Sequence, residues 1–328
     1  MIDLDDFTEL HQFDRSHLFT RAAQVDQRWA AAQTSLAALT ASSDLAKLSQ
    51  TTMPTAIVLA LPAELHGIGL ALCTLFRQSP TAGLWLWDPQ QRFPSTNGPT
   101  ILLSAVPSLS WPASTPTAQR TSLLDLTSFI SADHHPAQVF LCLLGLVEQL
   151  WQSNEPLLPL HPAPPAELAA CKPDVPVAHN PAKQIALQLY ERLPCFWGVD
   201  ALVGVAADWQ MRLLWYAETM AWSASLAELA RLHVMARLPR YWFNIVTFVQ
   251  LAEPAITAEA PALIPQLARL FALRRLPNVT ITASAELSPA ERIWYLLEWG
   301  EWLALYTAAL YNVDPTDRVP LQFLDDVR

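Results

Sequence analysis

The chain has 328 residues, of which 52% are hydrophobic and 15% are charged, and this composition predicts a folded protein with a large apolar core. Its formal charge of −10 argues against binding to nucleic acid or to anionic lipid, so any phosphate would have to be held by a local set of donors. The longest apolar run, Val139 to Val147, is too short to span a membrane and predicts a buried helix. The acidic start, Met1 to Asp6, lacks the layout of a signal peptide, and we therefore expect a cytoplasmic protein.

The cysteines and histidines show no spacing that is typical of a metal site. Cys73, Cys142, Cys171 and Cys195 are far apart in the sequence and form no C-x-x-C pair. We expect them to be buried thiols, and we expect neither a metal ion nor a cofactor.

The first part of the chain alternates helices and strands. Residues 1–50 form a predicted helical lead-in packed on a first domain, 51–151. The apolar run Thr55 to Leu61 is typical of a central parallel strand, and a helix is predicted to follow it from about Ala63 to Arg77. Further strands are predicted at Gly83 to Trp87 and at Ile101 to Ser104. The pattern indicates a doubly wound parallel sheet whose ligand crevice lies at the carboxyl ends of the strands.

Residues 152–180 contain seven prolines and no sustained apolar period, which predicts a linker between two domains. The second domain, 181–328, is expected to begin with a helix, because Asn180 is a good N-cap and Pro181 suits the first helical position. The other elements predicted there are strands at 194–197, 241–251 and 278–283, and helices at 200–222, 226–237, 260–275 and 291–311.

Two segments of the second half carry a resemblance to a known family. The stretch from Asn180 to Gly198, which includes Cys-Phe-Trp-Gly, and the turn Val313-Asp-Pro-Thr316 followed by a predicted helix from Leu321 to Val327 resemble the bacterial and archaeal bifunctional phosphoglucose/phosphomannose isomerases. The resemblance implies two SIS (sugar isomerase) domains, each an αβα sandwich with a mainly parallel sheet. It also implies a homodimer that acts on a sugar phosphate, with sites near the subunit interface and the interdomain crevice. The thirteen tryptophans fit such an interface, and we expect Trp85, Trp87 and Trp111 to contribute to it.

The loops that hold phosphate in this family are altered here. A Gly-Gly-Ser turn after the first strand is replaced by Pro62-Ala-Glu64, and His66-Gly67 is a candidate remnant or, in the alternative, a plain strand-to-helix turn. The second loop keeps hydroxyls at Ser104 and Ser108 but loses its glycine. We predict Ser104, Ser108, His66 and Gly67 as the substrate-binding residues.

Two basic residues of the family also differ in this chain. Ala137 and Asp325 align with the family's arginine and lysine; in the alternative, with a shift of the alignment, Arg328 takes the place of the lysine.

The resemblance also implies the catalytic residues. Glu218 occupies the position of the family's base, and burial beside Trp215 would favour proton abstraction; an ordinary, partly exposed helix residue is the alternative. His233 is the candidate for the ring-opening acid, and an ordinary helix histidine is the alternative there.

Two functions follow from these residues. The first is a sugar-phosphate isomerase-family protein with degenerate phosphate loops and weak or absent activity. The alternative is a non-catalytic SIS protein that binds a carbohydrate derivative or acts as a regulator.

Overall fold

The computed structural model describes most of the chain. The described residues are 2–14, 17–41, 54–76, 83–91, 93–94, 100–106, 109–110, 120–127, 129–130, 135–151, 166–233, 245–253 and 263–316. The chain divides into two compact units, each of which contains one sheet. The first-sheet unit consists of Asp26–Pro162 and Ser288–Trp294, and the second-sheet unit of Met1–Val25, Ala163–Leu287 and Tyr295–Arg328. The domain boundaries proposed above, 51–151 and 181–328, stay predictions.

The elements are numbered in chain order. The helices are α1 Phe7–Phe13, α2 Leu18–Ala23, α3 Val25–Thr40, α4 His66–Leu75, α5 Pro136–Leu150, α6 Ala166–Ala169, α7 Pro181–Leu189, α8 Leu202–Ala217, α9 Leu226–Glu228, α10 Leu263–Arg274 and α11 Pro289–Tyr311. The strands are β1 Ala56–Ala60, β2 Gly83–Leu86, β3 Thr100–Ser104, β4 Arg120–Asp125, β5 Leu193–Gly198, β6 Trp222–Ser225, β7 Val246–Ala252 and β8 Asn278–Thr282. Short 3-10 turns at Ala63–Leu65 and Val177–His179 and a π-helical turn at Leu229–His233 complete the set.

The first sheet has the strand order β2-β1-β3-β4, and all of its pairs are parallel. Every residue of β1 and of β3 is buried, which explains why both strands read as uninterrupted apolar or small residues. One apolar cluster on this sheet brings together Val58, Ala60, Trp87 and Leu102. Trp87 is therefore a core residue, and the prediction that it lies at a subunit interface is wrong. Trp111 lies outside the described residues. Strand β4 was not predicted.

The second sheet repeats this plan with the order β6-β5-β7-β8, again with all pairs parallel. The predicted α/β class with two separate parallel sheets is confirmed. The helix predicted over 200–222 ends at Ala217, because Glu218 adopts a left-handed conformation (φ 48°) that stops it. The residues after the stop form β6, which the continuing apolar pattern had concealed. The helix predicted over 321–327 lies outside the described residues.

In the second-sheet unit, a ring cluster packs α8 against α11. Trp209 stacks on Trp299 with ring centroids 5.2 Å apart, and its edge meets Phe196. Its indole N–H donates to the Leu296 carbonyl at 3.0 Å. A Cβ atom at Gly300 would run into the Trp209 ring, so the close approach of the two helices requires glycine at this position.

Three of the four thiols, Cys142, Cys171 and Cys195, are buried as expected, whereas Cys73 is half-buried. Burial raises the pKa of the Cys142 thiol to about 11, which leaves little reactive thiolate at neutral pH.

Among the described residues there is no group of three or more side chains that could hold a metal ion. No helix in the described ranges is both long enough and apolar enough to cross a membrane.

Candidate functional site

The first sheet has a topological switch point between β1 and β3, because the chain leaves β1 toward β2 and then crosses back to place β3 on the other side. Crevices that bind ligands in open parallel sheets lie outside the carboxyl ends of the strands at such a point. Ser104 ends β3 and pairs with Ala60, the last residue of β1. His66 and Gly67 begin α4, the helix that follows β1. The fold therefore brings three of the four predicted substrate-binding residues to one edge of the sheet; Ser108 lies outside the described residues.

The side chains at this edge are poorly arranged for an anion. The Ser104 hydroxyl is only 2% exposed; it donates to the Val106 carbonyl at 3.1 Å and accepts from the Val106 N–H at 3.2 Å. His66 is exposed, whereas Gly67 is buried. Glu64 is half-buried in the turn before α4. A carboxylate beside a helix N-terminus competes with phosphate for the same positive end of the dipole.

A second carboxylate lies at the same edge. Asp125 ends β4 directly beside Ser104, and its Oδ1 accepts from the Thr127 N–H at 2.9 Å. The described residues at this edge include no lysine or arginine. The edge therefore offers acceptors where a phosphate needs donors and cations.

The second sheet has the equivalent switch point between β5 and β7. Gly198 ends β5 where a Cβ atom would meet the backbone of Leu202, so the close approach of β5 to the start of α8 requires glycine. Asp200 in this turn is exposed with φ 50°. At the end of β6, Ser225 and Glu228 form a capping box: the Ser225 hydroxyl accepts from the Glu228 N–H, and the Glu228 carboxylate accepts from the Ser225 N–H. These polar groups serve the local backbone.

Glu218 is not the buried base that we expected. It caps the C-terminus of α8, its N–H bonds to the Leu213 carbonyl, and its side chain is exposed. It precedes β6, so it lies at the amino edge of the second sheet rather than at the carboxyl edge. The cause is local: a left-handed residue is needed to turn the chain from α8 into β6. His233 is the last residue of the π-helical turn after α9, and its side chain lies outside the described part of the chain.

Sequence reasoning missed a buried ionic network between α8 and α11. Arg212 Nε lies 2.7 Å from an Asp208 oxygen, and its Nη1 lies 2.6 Å from an oxygen of Glu301. All three residues are less than 6% exposed. The signal was present as the i, i+4 pair of opposite charges in α8 and as acidic residues in the otherwise apolar α11, where Glu298 is also buried.

Burial and charge act against each other in this network. Burial raises the pKa of Asp208 to about 6, although the adjacent Arg212 lowers it. Burial alone would lower the pKa of Arg212, but Asp208 and Glu301 outweigh it and raise it. Burial and the charge of Glu301 raise the pKa of Tyr216, which shares a hydrogen bond with Glu301. Because the guanidinium keeps its charge, the network holds a permanent cation in the core.

The raised pKa of Asp208 predicts a pH dependence of stability. The folded state binds the Asp208 proton more tightly than the unfolded state, so this residue's contribution is fully present below about pH 4 and is lost as the pH rises through about 6. The quantity to compare is the difference in unfolding free energy between the native chain and Asp208→Asn. We expect this difference to fall by roughly 2–3 kcal/mol as the pH rises from about 4 to about 7. Urea denaturation at several pH values measures it. The exposed Asp26→Asn is the control, and a difference for Asp208→Asn that stays constant with pH would contradict the prediction.

Comparison with known proteins connects the second-sheet unit to a family. Residues 178–325 match the model of the bacterial phospho-glucose isomerase C-terminal SIS domain. The second half of the chain matches this SIS family. A bifunctional phosphoglucose/phosphomannose isomerase of Caldicellulosiruptor bescii is 24% identical over 147 residues, which are 44% of this chain and 43% of that enzyme. The match therefore spans less than half of that relative's length. It confirms the resemblance of the second half of the chain to this family.

Solved structures extend the likeness in fold to nearly the whole chain. A glucose-6-phosphate isomerase-like protein from Thermus thermophilus superposes with a TM-score of 0.54 and 17% identity, covering 100% of both chains. The C-terminal domain of glucosamine-fructose-6-phosphate aminotransferase from Francisella tularensis gives a TM-score of 0.61 at 9% identity, covering 92% of this chain and 98% of that one. At these identities the similarity shows a shared fold and leaves function to be argued from the site.

Proposed function

We propose that this protein is a SIS protein of the phosphoglucose/phosphomannose isomerase type with weak or no isomerase activity. One observation carries the proposal: at the β1/β3 switch point the Ser104 hydroxyl is bonded to its own loop, and Glu64 lies in the turn that holds phosphate in the family. An anion site is assembled from free N–H groups, hydroxyls and cations, and this edge offers few of them.

The small number of basic residues in the proposed first domain, 51–151, supports the proposal. Residues 51–151 contain no lysine, and their arginines are Arg77, Arg92 and Arg120. A lost charge-assisted hydrogen bond to phosphate removes roughly 1.5–3 kcal/mol, and each ~1.4 kcal/mol is tenfold in affinity or rate. The absence of two family cations and of the glycine–serine turn therefore predicts a deficit of several orders of magnitude.

Any isomerase activity that remains would depend on a proton acceptor and a ring-opening acid. We propose Glu218 and His233 for these roles. Glu218 is exposed, so its carboxylate lies in water and is not enclosed in a site from which water is excluded. This environment adds to the expected loss of turnover.

A coupled assay with fructose 6-phosphate tests the proposal. Turnover to glucose 6-phosphate or mannose 6-phosphate should be at least ~1,000-fold slower than in a typical enzyme, consistent with about 4 kcal/mol lost. Glu191→Gln is a matched control for Glu218→Gln, because both glutamates are exposed and left-handed. Robust turnover that Glu218→Gln abolishes and Glu191→Gln preserves would refute the proposal. Equal turnover in both variants would exclude Glu218 as the base.

The alternative function is binding without turnover of a carbohydrate derivative, in a regulatory role. It is favoured by the two topological switch points that the sheets retain, since open parallel sheets bind ligands at such points. Melting curves with and without fructose 6-phosphate separate the two functions: a concentration-dependent rise in Tm without turnover supports the alternative.

We further propose a homodimer in the cytoplasm. Trp85 lies on the edge strand β2 with 45% of its surface exposed, and exposed tryptophan is enriched at protein interfaces. Sedimentation equilibrium at micromolar concentration should give twice the mass of 36.4 kDa. A mass near that of one chain would rule the dimer out.

A further inference from the structure

A cavity of about 300 Å³ lies in the second-sheet unit, and none of its lining residues belongs to a strand. It is formed by α1, α2 and the loop before α7. The buried Leu10 and Phe19 supply an apolar base, and the exposed Thr20, Lys172 and Asp174 supply polar groups. This volume is at the lower end for sites that bind small molecules, and the combination of apolar lining with a few polar groups is typical of them.

One wall of the cavity contains a buried carboxylate. Asp14 is 5% exposed, and its two oxygens accept hydrogen bonds from the N–H groups of Leu18 and Phe19. A carboxylate can accept about four hydrogen bonds, so Asp14 keeps capacity for a ligand. Among the described residues no lysine or arginine forms an ion pair with it. A cationic ligand would add a charge-assisted hydrogen bond to the two that Asp14 already accepts.

The opposite wall is held rigidly by three hydrogen bonds to buried side chains. The Cys171 carbonyl accepts from the Tyr306 hydroxyl at 2.6 Å, the Lys172 carbonyl from Asn180 Nδ2 at 2.9 Å, and the Pro173 carbonyl from Lys183 Nζ at 2.9 Å. The main chain of this loop is therefore fixed from inside, whereas Lys172 and Asp174 keep exposed side chains. A wall that is ordered before binding reduces the entropy lost when a ligand binds.

The charges of the lining select the ligand. Asp14 and Asp174 bring two negative charges to the lining, and Lys172 brings one positive charge. The Lys183 ammonium behind this loop lies 3.6 Å from Asp5 and is paired with it, so the lining keeps a net negative charge that disfavours phosphate and favours a cation. Thr20 and Lys172 can donate to hydroxyl groups. We propose that this cavity binds a small amine-bearing polyol, such as an unphosphorylated amino sugar, with the ammonium group at Asp14 and Asp174. The site is separate from the strand-end crevices of the proposed function.

Glucosamine is the probe, and ligand-observed NMR on the full chain is the readout. Glucosamine should bind saturably and at least ~10-fold more tightly than glucose, which has the same ring but no amine, because only its ammonium group can form charge-assisted hydrogen bonds to the two carboxylates. Equal affinity for the two sugars, or no saturation by ~10 mM glucosamine, a concentration that detects even weak binding, would overturn the proposal.

Variants locate the binding. Asp174→Asn changes an exposed side chain outside any helix or strand and should weaken glucosamine binding about 5–10-fold, a change of about 1–1.4 kcal/mol. Asp26→Asn removes the same charge at an exposed position outside the cavity and should leave binding unchanged. Asp14→Asn should weaken binding further, and its melting curve checks the fold. Binding that Asp174→Asn leaves intact would place the ligand elsewhere. Because glucosamine has no phosphate, neither outcome bears on the isomerase assay.

Discussion

Arg212→Met should lower the free energy of unfolding by about 3–5 kcal/mol. The change removes the cation that lies 2.7 Å from Asp208 and 2.6 Å from Glu301, and it leaves two buried carboxylates without the positive charge that they share. Burial of an unpaired charge costs more than the lost ion pair itself contributed. Urea denaturation at neutral pH measures the effect.

Two further variants define the origin of this loss. Arg269→Met removes an exposed arginine from α10 and should change stability by less than about 0.5 kcal/mol. The triple variant Arg212→Met, Asp208→Asn and Glu301→Gln removes every charge of the network and should recover much of the loss. If the triple variant is no more stable than Arg212→Met, the lost packing of the arginine side chain, and not the orphaned charge, is responsible.

Asn180→Ala should destabilise the protein by roughly 2–4 kcal/mol. Asn180 is fully buried, and its Oδ1 caps α7 by accepting from the Lys183 N–H at 3.0 Å. Its Nδ2 donates to the Lys172 carbonyl and to the Tyr306 hydroxyl. Alanine removes the cap and leaves these buried groups without their donor. Thermal and urea unfolding both report the change.

The N-cap of α9 provides the matched comparison. Ser225→Ala removes a cap from a more exposed helix start, where water can replace the lost bond, and it should cost only about 0.5–1 kcal/mol. Asn180→Ser keeps a capping oxygen but loses the amide donor, so its stability should lie between those of the native chain and Asn180→Ala. If Asn180→Ala costs no more than Ser225→Ala, the two donor bonds of Asn180 contribute nothing.

The sequence predicts those parts of this fold whose signals are local. Short patterns were enough to identify the capped start of α7 at Asn180 and Pro181, the wholly apolar β1 and the long apolar α11. Strand β6 was missed because a residue with positive φ, Glu218, interrupts an apolar pattern that otherwise continues. No residue type marks such a stop reliably when glycine is absent.

The candidate site was less predictable because its chemistry depends on distant contacts. The position of Ser104 at a strand end follows from the order of the elements, but the direction of its hydroxyl depends on the loop that follows. The nearby Trp215 led us to expect a buried Glu218, but whether a side chain is buried depends on more than one neighbour in the sequence, and Glu218 is exposed. The network of Arg212 with Glu301 joins residues 89 positions apart, and only the presence of charges in apolar helices hinted at it.

The division of the chain into units sets the order in which a nascent protein can fold. The segment Met1–Val25 clusters with residues beyond Ala163, and its Asp5 accepts a bond from Val177, 172 positions later. Ser288–Trp294, at the start of α11, clusters with the first-sheet unit. During synthesis, α1 and α2 therefore leave the ribosome long before the residues that they pack against. Neither unit is complete until α11 has been synthesised. Such long-range closure is slow, and it exposes apolar surface to chaperones during translation.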